Sequence, residues 1–293
     1  MIRLLAVLVS PILLAACSST PVNPDRPPYP VAVTESVTWS PQHWPEVLRA
    51  DLHYPKNTGQ RHPGVLMVHG GGWEYRSRAD MTDTANELAR QGFVVMNIDH
   101  RFAPEYRFPA QLHDVQVAMR WFRDHGGEYG LDPERIGAWG FSSGAHLVSM
   151  LGVVSGKDSP LDEPWGGAAL EPGAVVAGGL PSDFDKFEGG RRLRQLVGVS
   201  YEANPEAHRN ASPIHHVHPG APPFFLFHGT WDALVPIDHA EDFAAALRAN
   251  GVAVELHRQW LRGHVLSFVF NGAATREAVV FLRDHLGSRA PKE

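Results

Sequence analysis

From residue 31 onward, short apolar runs alternate with amphipathic ones. "VAVTESVTW" (31–39) and "LRADLHYP" (48–55) show the two-residue alternation of half-buried strands. "GVLMVHG" (64–70), "FVVMNID" (93–99), "RIGAWG" (135–140), "GAVVAGG" (173–179) and "PPFFLFHG" (222–229) are continuous apolar runs closed by glycine or aspartate, the pattern of buried strands. "VAVELHRQW" (252–260) predicts one more. Between them lie helix-spaced segments: 79–92, 109–126, 143–154, 238–251 and 276–287. The segment 109–126 opens on a proline and ends on a glycine, the usual start and stop.

Two early strands followed by strand–helix repeats predict one α/β domain over 31–288, with a mostly parallel sheet of about eight strands and helices on both faces. Ligands of such sheets bind at the carboxyl ends of the strands, so reactive residues are expected just after strands. Residues 156–172 and 181–221 interrupt the pattern, are rich in Gly, Pro and charge, and predict loop or a small cap beside the site.

The first thirty residues follow a different logic. "MIRLLAVLVSPILLAAC" has a basic start, an apolar run and small residues, which predicts a signal peptide over 1–16, too short for a spanning helix. The one cysteine of the chain, Cys17, follows Leu14-Ala15-Ala16. That tetrapeptide resembles a bacterial lipobox, which implies an acylated Cys17 anchoring the protein to an envelope membrane. Ser18 after the cysteine is similar to the outer-membrane sorting pattern. Residues 17–30, proline-rich and polar, then read as a tether. A single cysteine permits no intramolecular disulfide, so stability rests on the core.

Composition is that of an ordinary globular protein, with 43% hydrophobic and 20% charged residues. A net charge of −6 argues against a nucleic-acid partner. The longest basic run is the local "GGRRLRQ" at 189–195.

Chemistry concentrates in four places. "GFSSG" fits G-x-S-x-G with Gly140, Ser142 and Gly144, and it joins a predicted strand to a predicted helix. Such a turn lifts the central serine, Ser142, into an exposed and strained position. The amide of Ser143 then heads a helix and points toward the site. "HGGGW" (69–73) follows a strand, and its Gly71 and Gly72, with Ser143, are the expected N–H donors to an oxyanion. A phosphate loop would need Lys and Ser/Thr in P-loop spacing, which is absent. His69 and Trp73 are expected to support the loop. Asp232 in "FHGTWDALVP" and His264 in "LRGHVLSF" both follow strands and complete a candidate triad as orienting acid and general base. Asp183 is the rival acid, and His257 and His285 are rival histidines placed inside a strand and in the last helix. The order Ser142…Asp232…His264 is that of the α/β-hydrolase fold.

Two further clusters read as structural. "IHHVH" offers His215, His216 and His218, but adjacent histidines in a Pro-rich connection are expected to be surface groups, so no metal is predicted. Arg101, Glu105 and Asp114 predict a buried polar network under the site.

Taken together, "HGGGW", "DHRFAPEYRFPAQLHDV", "YGLDPERIGAWGFSSGAHL", "NASPIHHV", "APPFFLFHGTWDALVP" and "RGHVLSF" resemble the α/β-hydrolase carboxylesterases, nearest the feruloyl-esterase-like group labelled BD-FAE. They are similar also to hormone-sensitive-lipase-like esterases and to kynurenine formamidases. The resemblance covers about residues 60–286. It implies hydrolysis of short-chain or aromatic acyl esters without a cofactor, with a small-molecule ester as the partner. It places the triad on Ser142, Asp232 and His264 and the oxyanion loop on Gly71 and Gly72. Amide hydrolysis of the formamidase kind, long-chain lipase action and a non-catalytic binding role on the same fold remain the alternatives. Phe141, Ser143, His100, Val265 and Leu266 depart from the group's usual residues.

Overall fold

The computed structural model describes residues 28–287 apart from 57, 158, 188 and 189. The expected signal peptide and Cys17 lie outside the described residues. Eight strands form one sheet: β1 (Val31–Thr38), β2 (Arg49–Pro55), β3 (His62–Val68), β4 (Val94–Ile98), β5 (Leu131–Phe141), β6 (Val175–Gly178), β7 (Phe224–Gly229) and β8 (Val254–Gln259). Their order is β1-β2-β4-β3-β5-β6-β7-β8. β1 and β2 pair antiparallel, and β2 is antiparallel to β4. From β4 to β8 every neighbour is parallel. Parallel neighbours need long crossovers, and helices supply them. These are α1 (Thr82–Arg90), α2 (Ala110–His125), α3 (Ser143–Val154), α4 (Arg191–Val197), α5 (Pro205–Asn210) and α6 (Asp238–Ala249), and α7 (His264–Val269) and α8 (Gly272–Leu286) follow the last strand. This is the α/β-hydrolase fold.

The central runs of β3 to β7 are apolar because both faces of the sheet are covered there, whereas β1, β2 and β8 carry polar and exposed residues. One core layer joins Leu66, Val68, Met96, Leu112, Leu147 and Phe243 under α2, α3 and α6. The other joins Val65, Met67, Leu88, Trp139, Phe225 and Phe281 under α1 and α8. α3 is buried over all twelve residues, so it has no polar face to show in its sequence. Among the described residues no helix is long and apolar enough to cross a membrane.

The stretches expected to be loop or cap carry short helices. α4 and α5 lie in 181–221, with 3₁₀ turns at Phe184–Phe187 and Pro213–His216. Helices of six or seven residues make too few turns for a period to appear in sequence. Local chemistry sets α5 instead: the Asn204 side chain accepts the Ala207 N–H at 3.1 Å, and Pro205 opens the first turn.

Arg101 and Asp114 form the expected buried pair. Asp114 accepts Arg101 Nε and the Arg101 backbone N–H, each at 2.8 Å, and Trp44 Nε1 at 2.7 Å. Glu105 is exposed and stands apart from this pair. It sits at the crest of the loop, where nothing buries a carboxylate.

Candidate active site

β3 has β4 on one side and β5 on the other, so the chain reverses direction across the sheet there. Crevices open at the carboxyl ends of such a pair. The loop His69–Trp73 leaves β3, and Ser142 leaves β5.

Ser142 sits at φ 55°, ψ −121°, between the last residue of β5 and the first of α3. Close packing fixes the glycines around it. A methyl group at Gly140 would lie 2.3 Å from the carbonyl carbon and oxygen of Gly144, and one at Gly144 would lie 2.2 Å from Val68 O. Any side chain at either position would force α3 off the sheet. The positive φ of Ser142 costs energy, and this crowding is what holds it there.

Ser142 Oγ lies 2.9 Å from His264 Nε2, and His264 Nδ1 lies 2.6 Å from Asp232 Oδ2. Asp232 leaves β7 and has a fully buried side chain. Its Oδ1 accepts the N–H groups of Leu234 and Val235, both at 2.9 Å. Burial disfavours its charge. Hydrogen bonds from His228 and His264, the charge of His264 and the Val235 N–H outweigh that and hold the carboxyl well below the usual carboxylate range. Asp232 is therefore ionised throughout the working pH range. His228, not singled out from sequence, sits four residues earlier and donates through Nε2 to Val235 O at 2.8 Å, fixing the turn that carries Asp232. Phe141 packs its ring 5.0 Å from that of His264. The apolar residue at this position thus supports the base from beneath.

The glycine loop expected to bind an oxyanion is held by buried groups. Gly71 and Gly72 have φ of 127° and 63°, which glycine alone adopts without strain. Trp73 is buried and donates from Nε1 to His146 Nδ1 at 3.2 Å, and His146 Nε2 donates to Ala211 O at 2.7 Å. That pair of bonds requires neutral His146. His69 is fully buried, donates to Gly70 O at 2.6 Å, and stacks on His100 with centroids 4.7 Å apart. Both His69 and Trp73 therefore stand under the loop.

These neutral histidines make stability depend on pH. Burial above all lowers His146 to about 4 and His100 to about 3, from 6.5. The unfolded chain takes up protons on both below pH 6.5, while the folded chain does so only near 4 at His146 and near 3 at His100. Folding stability therefore falls as pH falls from about 6.5 to about 4, by about 1.4 kcal/mol per pH unit for each histidine. Melting temperatures measured between pH 7 and 4 are expected to drop steeply across this window. A flat profile would show that these rings are not buried and neutral.

The rivals lie elsewhere. Asp183 N–H donates to His239 Nδ1 at 3.3 Å, and its carboxylate accepts the N–H of Asp185 at 3.0 Å. His257 pairs with Glu277 at 2.7 Å, and His285 packs on Phe281. His216 and His218 donate to Asn210 O and Pro219 O. His215 lies 3.8 Å from Asp183 and 3.9 Å from Asp185, and Arg209 already sits 2.8 Å from Asp185.

Ser142 and His264 open into a cavity of about 670 Å³, in the usual range for small-molecule sites. The loop after β7 and helix α7 line it with exposed apolar side chains, Leu234, Val265 and Val269. Across the cavity's lining stand Arg76 and, from α4, Arg191 and Arg192. Sequence reasoning left this cationic part out of the site. Its only signal was the basic run 189–195.

Residues 50–247 match the family model described as BD-FAE. The chain is 33% identical over 195 residues to esterase LipC of Mycobacterium tuberculosis, covering 64% of this chain and 48% of that protein. It is 31% identical over 226 residues to esterase LipQ of the same organism, covering 74% of this chain and 52% of the other. The chain thus spans about half the length of these curated relatives. Among solved structures it resembles an esterase of Thermogutta terrifontis with butyrate bound, at TM-score 0.71 and 25% identity, covering 88% of this chain and 96% of that one. A truncated carbohydrate esterase from gut microbiota shares the fold at TM-score 0.78 and 22% identity, covering 90% of this chain and 100% of the other.

Proposed function

The chain belongs to the BD-FAE family, and from that premise we propose that it is a serine carboxylesterase acting on short-chain or aromatic acyl esters. The observation that carries this reading is the relay Ser142–His264–Asp232, with bonds of 2.9 and 2.6 Å, on a serine held at φ 55°. The esterase names of the relatives support it. So does the likeness to a butyrate-bound esterase.

In this mechanism Ser142 Oγ attacks the ester carbonyl carbon while His264 Nε2 takes the hydroxyl proton. Asp232, ionised and buried, keeps the His264 proton on Nδ1 and stabilises the imidazolium that forms. The N–H groups of Gly71, Gly72 and Ser143 receive the negative oxygen, each worth about 10²–10³ in rate. The intermediate collapses, His264 returns the proton to the departing alcohol, and an acyl group remains on Ser142. Water then attacks the acyl carbon with His264 as base, releasing the acid and restoring the serine.

A chain-length series of p-nitrophenyl esters tests this. Hydrolysis is expected to peak at acetate or butyrate, and a fluorophosphonate probe is expected to label Ser142, read as a mass shift on its peptide. An enzyme that cleaves none of the series and takes up no probe is not a serine esterase. Cleavage of N-formylkynurenine well ahead of every ester would move the reading to amide hydrolysis.

A further inference from the structure

The cationic wall of the cavity lies directly on the oxyanion loop. A methyl group at Gly72 would lie 2.9 Å from Arg192 Cδ and 3.1 Å from its Nε. One at Gly71 would lie 2.9 Å from Arg76 Cγ. Between the two arginines stands the Tyr75 ring, with its centroid 5.8 Å from Arg76 Cζ and 5.9 Å from Arg192 Cζ. The basic run noted in sequence is thus delivered by α4 to the rim of the reaction centre.

The counter-charges do not use these guanidinium groups up. Asp80 lies 3.6 Å from Arg76, and Glu74 lies 3.8 Å from Arg192, both beyond hydrogen-bonding distance. Glu74 is engaged instead by Arg191 at 3.1 Å. Among the described residues, the side chains of Arg76 and Arg192 donate no hydrogen bond to protein. A chain of net charge −6 therefore places two arginines with free donor edges beside the group expected to bind the oxyanion. The guanidinium fork matches a carboxylate in plane and spacing.

We propose that the site selects esters that carry a carboxylate, with Arg192 and Arg76 as the pair that recognises it. This rests on the esterase reading and names the substrate class. The apolar rim on the other segments of the mouth receives the uncharged remainder, so the preferred ester is amphipathic. The carboxylate can belong to the acyl half or to the alcohol half.

Two matched pairs of esters separate these sources. In the acyl arm, p-nitrophenyl 4-carboxybenzoate is compared with p-nitrophenyl 4-methylbenzoate. In the alcohol arm, 4-acetoxybenzoate is compared with 4-methylphenyl acetate. In one arm the anionic ester is expected to have the higher kcat/KM, by about tenfold at low ionic strength. The ratio should shrink as salt rises, because these side chains are partly exposed. It should fall toward one in the double variant Arg76→Gln/Arg192→Gln and stay above one in Arg192→Lys. Calorimetric binding of the same four esters to Ser142→Ala protein gives the preference without turnover. Preference for the neutral ester in both arms, by turnover and by binding, would overturn the proposal. So would an anionic preference that the double variant keeps. If none of the four is hydrolysed yet the anionic member of a pair binds tighter, the carboxylate site stands and the esterase reading falls.

Discussion

Replacing Ser142 by alanine is expected to lower kcat/KM on p-nitrophenyl butyrate by about 10⁴-fold or more, because the attacking oxygen is removed and no other group can take its place. The rest of the arrangement stays. Alanine keeps the backbone, the His264–Asp232 bond at 2.6 Å does not involve residue 142, and the proposed oxyanion donors are main-chain groups. The loss should therefore appear in kcat, with the melting temperature little changed. Ser143 gives the contrast. Its hydroxyl is buried without a hydrogen-bond partner, and its amide is the expected oxyanion donor. Ser143→Ala keeps that amide, so its loss should be at least 100-fold smaller than that of Ser142→Ala. Equal losses in the two variants would mean that the two serines share one role, and the assignment of Ser142 as nucleophile would be wrong.

The second large effect is on the fold. Gly144→Ala puts a methyl group 2.2 Å from Val68 O and 2.5 Å from His69 O, both backbone atoms at the end of β3. Neither can swing aside as a flexible side chain would. α3 has to move away from β3, and with it the turn that carries Ser142. Overpacking of this kind costs roughly 1–3 kcal/mol or more, and rigid backbone on both sides puts this case at the top of that range. Denaturant midpoints should fall accordingly, and activity should fall further than stability. Ser149→Ala on the same helix is the control. Its hydroxyl is buried without a partner, so removing it should not destabilise. Wild-type stability in Gly144→Ala would mean that α3 does not approach β3 as closely as described.

Both variants touch features that the sequence displayed. The five central strands were legible because a sheet covered on both faces demands continuous apolar runs, which stand out against the amphipathic segments between them, and β1 and β2 because a half-buried strand alternates. The glycines of "GFSSG" were legible because close approach leaves no other choice of residue. α4, α5 and α7 were not legible. Each has seven residues or fewer, and what stabilises them is contact with distant parts of the chain or a single capping bond. α7 begins at His264 itself, so the sequence showed the histidine but not the helix that carries it.

The difference between local and distant determinants accounts for the site as well. By itself the sequence determined the fold class, the strained serine turn and the glycine loop, because backbone geometry and burial restrict residue type position by position. It also limited the candidates for acid and base to a few residues after strands. Only the tertiary structure decided that Asp232 and His264, 32 residues apart, meet at 2.6 Å, and that His264 reaches Ser142 across 122 residues. Only it placed Arg192 of α4 against Gly72 of the glycine loop. Such meetings depend on strand order and on where each crossover returns, and no local pattern of residues encodes the distance between two loops that fold over the same edge of a sheet.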